Sequence, residues 1–213
     1  MLIEVWSDVV CPWCFIGKRR LEKAIAALPD PSVVQVRHRA FELQPDITDT
    51  VPTSQHLAEK YQVSTAEVEA MQANVCTVAD GEGLCYDLSN TLSGNTFHAH
   101  RLLLWAQEHG GCDALLEELY SAYFEKSESI FSEDDLVRIA SRAGLEEAQV
   151  RTLLESDDFA EAVRADQILS RQLGATGVPF FVFGMQYGIS GAQPQEVFDQ
   201  TLQAALAEPS FSV

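Results

Sequence analysis

Apolar and polar residues change their spacing repeatedly along this chain, and each change marks a new element. Leu2 to Ser7 is a short apolar-rich run of strand character and reads as a first β-strand. From Pro12 to about Leu28, residues Leu21, Ala24, Ile25 and Leu28 return at the three- and four-residue steps of an amphipathic helix. Pro29-Asp30-Pro31 stops that helix. Val33 to Phe41 is rich in β-branched residues and reads as a second strand. The chain therefore opens β-α-β.

Between residues 53 and 173 the period becomes helical throughout. Ser64 and Glu67 have the spacing of a capping box ahead of Val68, Met71, Val75 and Val78. Asn95 fits the N-cap of a helix carrying Leu103, Leu104 and Ala106. Leu115, Leu116, Leu119 and Tyr123 mark another, and Ser132 with Asp135 starts one containing Leu136 and Ile139. Phe159, Val163, Leu169 and Leu173 mark the last, closed by Gly174.

Strand character then returns in Val178 to Phe183 and in Tyr187 to Ser190, joined by a turn at Gly184-Met185-Gln186, and a final helix spans about Pro194 to Leu206. The order β-α-β, helical block, β-β-α predicts an α/β protein: a thioredoxin-like fold with an inserted all-α domain. The expected division is residues 1–50 and 175–213 for the sheet domain, and 51–174 for the helical insertion.

Composition narrows the function classes. With 213 residues the chain can bury a substantial core. No stretch approaches the ~20 apolar residues of a membrane span. The start, Met1-Leu2-Ile3-Glu4-Val5-Trp6, has neither a basic nor a long apolar region, so it reads as a strand rather than a secretion signal, and a cytoplasmic location is expected. A net charge of −18 argues against nucleic acid and anionic membranes as partners. The charge is uneven: residues 1–40 hold six Lys/Arg and four acids, whereas residues 108–161 hold fifteen acids and four bases, a pattern read as solvated helix faces. Five cysteines, an odd number, do not suit a secreted disulfide framework and point instead to redox chemistry or metal binding.

Cys11-Pro12-Trp13-Cys14 sits where the first strand meets the first helix. Pro12 suits the first helical position, which makes Cys11 the N-cap. Unpaired amides at the helix head and the helix dipole then favour a thiolate. Cysteines so placed have pKa values of ~3.5 to ~7.5 rather than ~8.5. Cys11 is thus the predicted nucleophile, and Cys14, one turn inside and more buried, the resolving thiol. In the distant segment Gly177-Val178-Pro179, a proline at the entry to a core strand is tolerated only at special positions. In a thioredoxin fold that proline packs beside the active-site cysteines, with Val178 backbone groups offered to an extended substrate. Pro179 therefore joins the predicted catalytic group, with Pro12, Trp13 and Val178 as substrate contacts.

Ser7 through Cys14, Gly17-Lys18-Arg19-Arg20, Gly177-Val178-Pro179-Phe180-Phe181 and Ile189-Ser190-Gly191-Ala192-Gln193 together resemble the DsbA-like oxidoreductases of the FrnE type. Phe41 to Pro45 and Asn95 to Arg101 look like further markers of that family, and the resemblance spans nearly the whole chain. It implies an inserted helical domain, a cis peptide before Pro179 and dithiol–disulfide exchange. Periplasmic DsbA carries a histidine between its cysteines; Pro12-Trp13 supplies no charge there. A weaker oxidant is expected, with a potential well below ~−120 mV.

Other candidates have plainer readings. Zinc would need two further ligands at matching spacing, and none is seen, so no metal is expected. Cys76 and Cys85 flank a loop and are a possible second redox pair; the alternative, favoured here, is two separate small hydrophobes. Cys112 reads as an incidental turn residue. His98 and His100 stand two apart on a helix and cannot share a face, so packing and capping are expected of both. Arg101 is expected to interact locally. Asp8 either assists proton transfer or shapes its loop. Trp13 is expected to cover the site, and Phe15 and Ile16 to join the core.

The expected function is exchange with thiol or disulfide substrates, protein or small molecule, by a monomer or homodimer. No cofactor is required, with glutathione as a possible co-substrate. Two alternatives stand beside it. One is a glutathione-dependent isomerase or kappa-class transferase, which on this scaffold activates the glutathione thiol from a serine at the position of Cys11. The other is a holdase-like binding module using an apolar cleft.

Overall fold

In the computed structural model, which describes residues 1–207, the elements in chain order are β1 (Leu2–Ser7), α1 (Pro12–Ala26), β2 (Gln35–Ala40), β3 (Val51–Pro52), α2 (Thr53–Tyr61) and α3 (Thr65–Gly81). Then follow β4 (Leu92–Ser93), α4 (Phe97–Glu108), α5 (Cys112–Tyr120), α6 (Glu133–Arg142), α7 (Glu147–Leu154) and α8 (Ala160–Gln172). The chain returns to the sheet with β5 (Phe180–Phe183) and β6 (Tyr187–Ser190) and closes on α9 (Gln195–Ala207).

The main sheet has the order β2-β1-β5-β6. β1 and β2 are parallel, from Leu2 opposite Gln35 to Ser7 opposite Ala40, and α1 supplies the crossover that a parallel pair requires. β5 lies antiparallel to β1, with Trp6 opposite Phe180, and all four of its residues are buried. A central strand covered on both faces accounts for the unbroken apolar run Phe180-Phe181-Val182-Phe183. The β5–β6 hairpin turns through two successive residues of positive φ, Gly184 (57°) and Met185 (58°).

The boundaries depart from the sequence reading where local hydrogen bonds compete with it. α1 ends at Ala26, two residues before Leu28, because the Ala27 amide closes on the Lys23 carbonyl at 3.1 Å. Asp30 caps a 3-10 turn at Pro31–Val33, and the amides of Val33 and Val34 bond back to Asp30 and Pro31. Both valines are thereby withheld from β2, which starts at Gln35 rather than Val33. The helical stretch is interrupted by β3 and β4, two residues each, paired antiparallel. α5 continues into a π-helical turn, Ser121–Glu125, that contains Tyr123.

The capping box at Ser64 forms as expected, with the Glu67 amide 3.3 Å from the serine hydroxyl and the Ser64 amide 2.9 Å from the glutamate. Ser132 caps α6 through the Asp135 amide at 3.1 Å. Asn95 accepts the Phe97 amide at 2.9 Å, one residue outside the formal N-cap, Thr96.

The largest core cluster runs from the head of α1 (Cys14, Phe15, Ile16) into the helices, where it contains Leu102, Leu103, Leu115, Leu119 and Ile139. A second cluster lies between sheet, α1 and α9, around Ile3, Leu21, Phe181, Phe183 and Phe198. The basic residues of α1 are not merely solvated. Lys18 reaches Asp113 and Glu117 at 3.1 Å each, and Arg20 and Lys23 both reach Glu82 at 2.6 Å. The uneven charge thus clips α1 to α5 and to the end of α3.

Candidate active site

Cys11 is the N-cap of α1, with extended backbone (φ −93°, ψ 110°), and Pro12 occupies the first helical position. Its amide donates to the Asp8 carbonyl at 3.1 Å and its carbonyl accepts from the Cys14 amide at 2.9 Å, so strand, loop and helix are locked together at this residue. Its thiol donates to the Val178 carbonyl at 3.6 Å. The Val178–Pro179 peptide is cis and Pro179 is buried. Gly17 permits this approach: a Cβ there would lie 2.9 Å from Cζ of Phe181 and 3.1 Å from Cγ of Pro179.

The sequence suggests an openly accessible Cys11, yet the residue retains only 4% of its surface. Its exposure is confined to a groove of about 290 Å³ between the head of α1 and the α2–α3 hairpin. Val10, Trp13, Leu57, Tyr61, Met71 and Val178 make most of this groove apolar, and Lys60 is the cation in its lining. Trp13 and Val178 are half-buried at its edge. Pro12 offers its carbonyl to the Tyr86 hydroxyl at 2.8 Å, and the Tyr86 ring stacks on Phe15 and Phe124.

Cys14 is buried behind Cys11. Burial pushes its thiol well above the usual cysteine range, and the hydrogen bond and charge of Cys11 push the same way; the Asp8 amide, bonded to the Cys14 sulfur, opposes them. A second cavity, about 450 Å³, reaches Cys14 from the far side and is also bordered by His38, Cys112 and Tyr120.

Three features escape a reading of sequence spacing. The Asp8 carboxylate accepts the Leu43 amide at 2.8 Å on one oxygen, while the other lies 3.3 Å from Nε2 of His100. His100 is fully buried and stacks on His38 at 5.9 Å, so it belongs to the rear of the site, whereas His98 lies outside it and accepts from Arg101 at 3.0 Å. Arg101 is not local in its other contacts: it donates to the carbonyls of Leu153, Ser156 and Asp158. The clue available was the side-chain chemistry of Asp8 and His100; their adjacency comes from packing α4 under the β1–α1 loop.

Cys76 and Cys85 are both free thiols at the far end of the α3 hairpin, Cys76 donating to the Tyr86 carbonyl at 3.9 Å and Cys85 exposed. Cys112 is no turn residue but the first of α5, and burial, then Asp113, pushes its thiol up to about 12. Among the described residues, no His/Cys/Asp/Glu cluster could hold a metal ion, and no helix is long and apolar enough to cross a membrane.

A helix-capping cysteine pair facing a cis-proline strand entry defines a thioredoxin-type thiol site, and comparison with known proteins agrees. The chain belongs to the DSBA-like thioredoxin domain family, whose model matches residues 2–203. It is 45% identical to the probable DsbA oxidoreductase of Streptomyces coelicolor, with a TM-score of 0.94 over 98% of this chain and 91% of that one. It is 25% identical over 201 residues to the uncharacterized protein YwbO of Bacillus subtilis (strain 168), covering 94% of each. The cytosolic disulfide reductase DsbM of Pseudomonas aeruginosa, solved with GSH, shares the fold at 16% identity and a TM-score of 0.63, over 97% of this chain and 99% of that one.

Proposed function

We propose that this chain is a dithiol–disulfide oxidoreductase in which Cys11 attacks and Cys14 resolves. In the reducing direction, the Cys11 thiolate attacks a substrate disulfide, forming a mixed disulfide and expelling the first substrate sulfur as thiolate. Cys14 then loses its proton and attacks the Cys11 sulfur. The Cys11–Cys14 bond forms, the second substrate sulfur leaves, and two electrons have passed to the substrate. The oxidising direction is the reverse.

One observation carries this reading: a single thiol meets the groove at a helix head, while a second thiol, kept protonated by burial, stands directly behind it. Pro12, Trp13 and the Val178 backbone are the substrate contacts. Pro179 sets the strand entry beside the sulfur. The apolar groove suits a thiol or disulfide carried on an apolar peptide or small molecule, and glutathione is a candidate reductant.

Turnover of a disulfide substrate by Cys11→Ser and Cys14→Ser variants tests the assignment. Cys11→Ser should be inert, and Cys14→Ser should stall after one attack as a mixed disulfide visible by mass. Sustained turnover by Cys14→Ser would instead support a glutathione-dependent isomerase or transferase. Aggregation suppression unaffected by Cys11→Ser, without turnover in the wild type, would support a binding module.

A further inference from the structure

Ring closure requires Cys14 to give up a proton in a place that water does not reach from the groove. The structure surrounds this thiol with titratable groups that the exchange steps leave unused. Asp8 and His100 are both fully buried, with Oδ1 of Asp8 3.3 Å from Nε2 of His100. Neither that oxygen nor either His100 ring nitrogen has an aligned hydrogen-bond partner among the protein atoms. Buried polar atoms without partners are costly, and such exceptions concentrate where function needs them. The Asp8 amide is bonded to the Cys14 sulfur, which ties this carboxylate's own residue to the reacting atom.

Other groups face Asp8 from every side. Tyr120 of α5 and Tyr123 of the π-helical turn are both held above the usual phenol range, first by burial; they are weaker acids than usual. His38 of β2 stacks behind His100 and bonds Ser7 at 3.3 Å, and burial, followed by the charges of His100 and Arg39, keeps it neutral. The remaining neighbours are the two thiols of α1. The carboxylate–imidazole pair is the basic group of this set.

We infer that the Asp8–His100 pair is the proton acceptor for Cys14 during ring closure, with Asp8 and His100 acting as positioning residues behind the dithiol. The Cys14 S–H bond breaks and its proton passes to the pair. The freed sulfur forms the bond to Cys11, the Cys11–substrate bond breaks, and the departing thiolate carries off the electron pair. The proton then leaves by the 450 Å³ rear cavity, which both His38 and Cys14 border. Reduction of the ring runs the same path backwards, the pair returning the proton to Cys14. This rests on the exchange mechanism proposed above.

The test is a stopped-flow reaction of the reduced full chain with a chromogenic aryl disulfide in limiting amount. The first phase, attack by Cys11, releases one coloured thiol, and the second, closure by Cys14, releases another. Asp8→Asn should slow the second phase by about tenfold or more near neutral pH, the range of a lost general base, while the first phase keeps its rate. The deficit should shrink as pH rises and hydroxide takes over the deprotonation. His100→Gln should show the same pH-dependent deficit at smaller size, and it decides the matter if Asp8→Asn does not fold. A second phase in both variants that tracks wild type at every pH overturns the inference and leaves the exchange mechanism standing. So does equal slowing of both phases at all pH, the mark of a purely structural role. A wild-type chain that releases only one coloured thiol overturns both.

Discussion

Gly17 offers a sharp test of how closely the active-site helix must meet the cis-proline segment. In an exposed helix, Gly→Ala stabilises by about 0.8–1.0 kcal/mol. At Gly17, however, the new methyl would fall 2.9 Å from the buried ring of Phe181 and 3.1 Å from the Pro179 ring. Ordinary carbon contacts begin near 3.5 Å, so one partner must move by about half an ångström. Phe181 is sealed between sheet, α1 and α9 and cannot yield easily. Overpacking of this kind costs about 1–3 kcal/mol. The helical gain offsets part of that, leaving a net loss of about 1 kcal/mol, or ~2–4 °C in Tm for a domain of this size.

The larger effect should fall on chemistry. Backing Pro179 away from α1 moves the Val178 carbonyl off the Cys11 sulfur, and misplacement by about 1 Å can cost about a hundredfold in rate. A half-ångström retreat should lower the first exchange phase by about tenfold. Calorimetry and stopped-flow exchange on Gly17→Ala measure the two arms. Gly81→Ala, whose new methyl meets nothing within 4 Å, is the control and should keep wild-type exchange. A Gly17→Ala protein with Tm raised by the full helical gain and an unchanged exchange rate would refute the reasoning.

Two further outcomes follow from buried groups behind and beside the site. Arg101 is 2% exposed and donates to three carbonyls at the end of α7 and beyond; Arg101→Met orphans them at about 1–3 kcal/mol each, so urea unfolding should show a loss on the order of 3 kcal/mol, and a loss under about 1 kcal/mol contradicts the role given to it. His38 is held down to about 3 by burial, then by His100 and Arg39. Its folded pKa is below the unfolded ~6.5, so its contribution is present above pH ~6.5 and is lost progressively as pH falls towards 3. Denaturation between pH 7 and 5, above the main carboxylate range, should show stability declining in the wild type and a flatter profile in His38→Gln; identical slopes would exclude His38 as the source.

What the sequence makes legible is what local spacing and local caps determine. The Leu21-Ala24-Ile25 stripe, the Ser64–Glu67 box and the apolar run at Phe180 each report an element through neighbours in the chain, and each element is present. Cys11 at a helix head is legible for the same reason, since Pro12 fixes the start. The β3–β4 pair is not, because two residues show no period and their pairing depends on chain closure. Nor is the shortened β2, where Val33 and Val34 have strand composition but are claimed by the turn that Asp30 caps. Asp8 with His100, and Lys18 with Asp113 and Glu117, are pairs made by tertiary packing, and nothing in the spacing of either partner announces the other.

The same distinction divides the groove itself. One wall rests on the head of α1, whose Cys14, Phe15 and Ile16 are built into the main core together with α4 and α5. The other wall is the α2–α3 hairpin, in which α2 buries no residue and α3 buries only Val68 and Ala79. Elements with few buried apolar contacts open at lower free energy than the core beneath them. Thiol geometry is therefore carried by the part of the molecule that is costly to deform, and the surface that meets a substrate by the part that is cheap to deform. Tyr61 and Met71, 51% and 46% exposed on that outer wall, present large apolar side chains to solvent at the mouth of a redox site. Substitution there changes what can approach Cys11 without disturbing the helix head, the Val178 carbonyl or the buried thiol that exchange depends on.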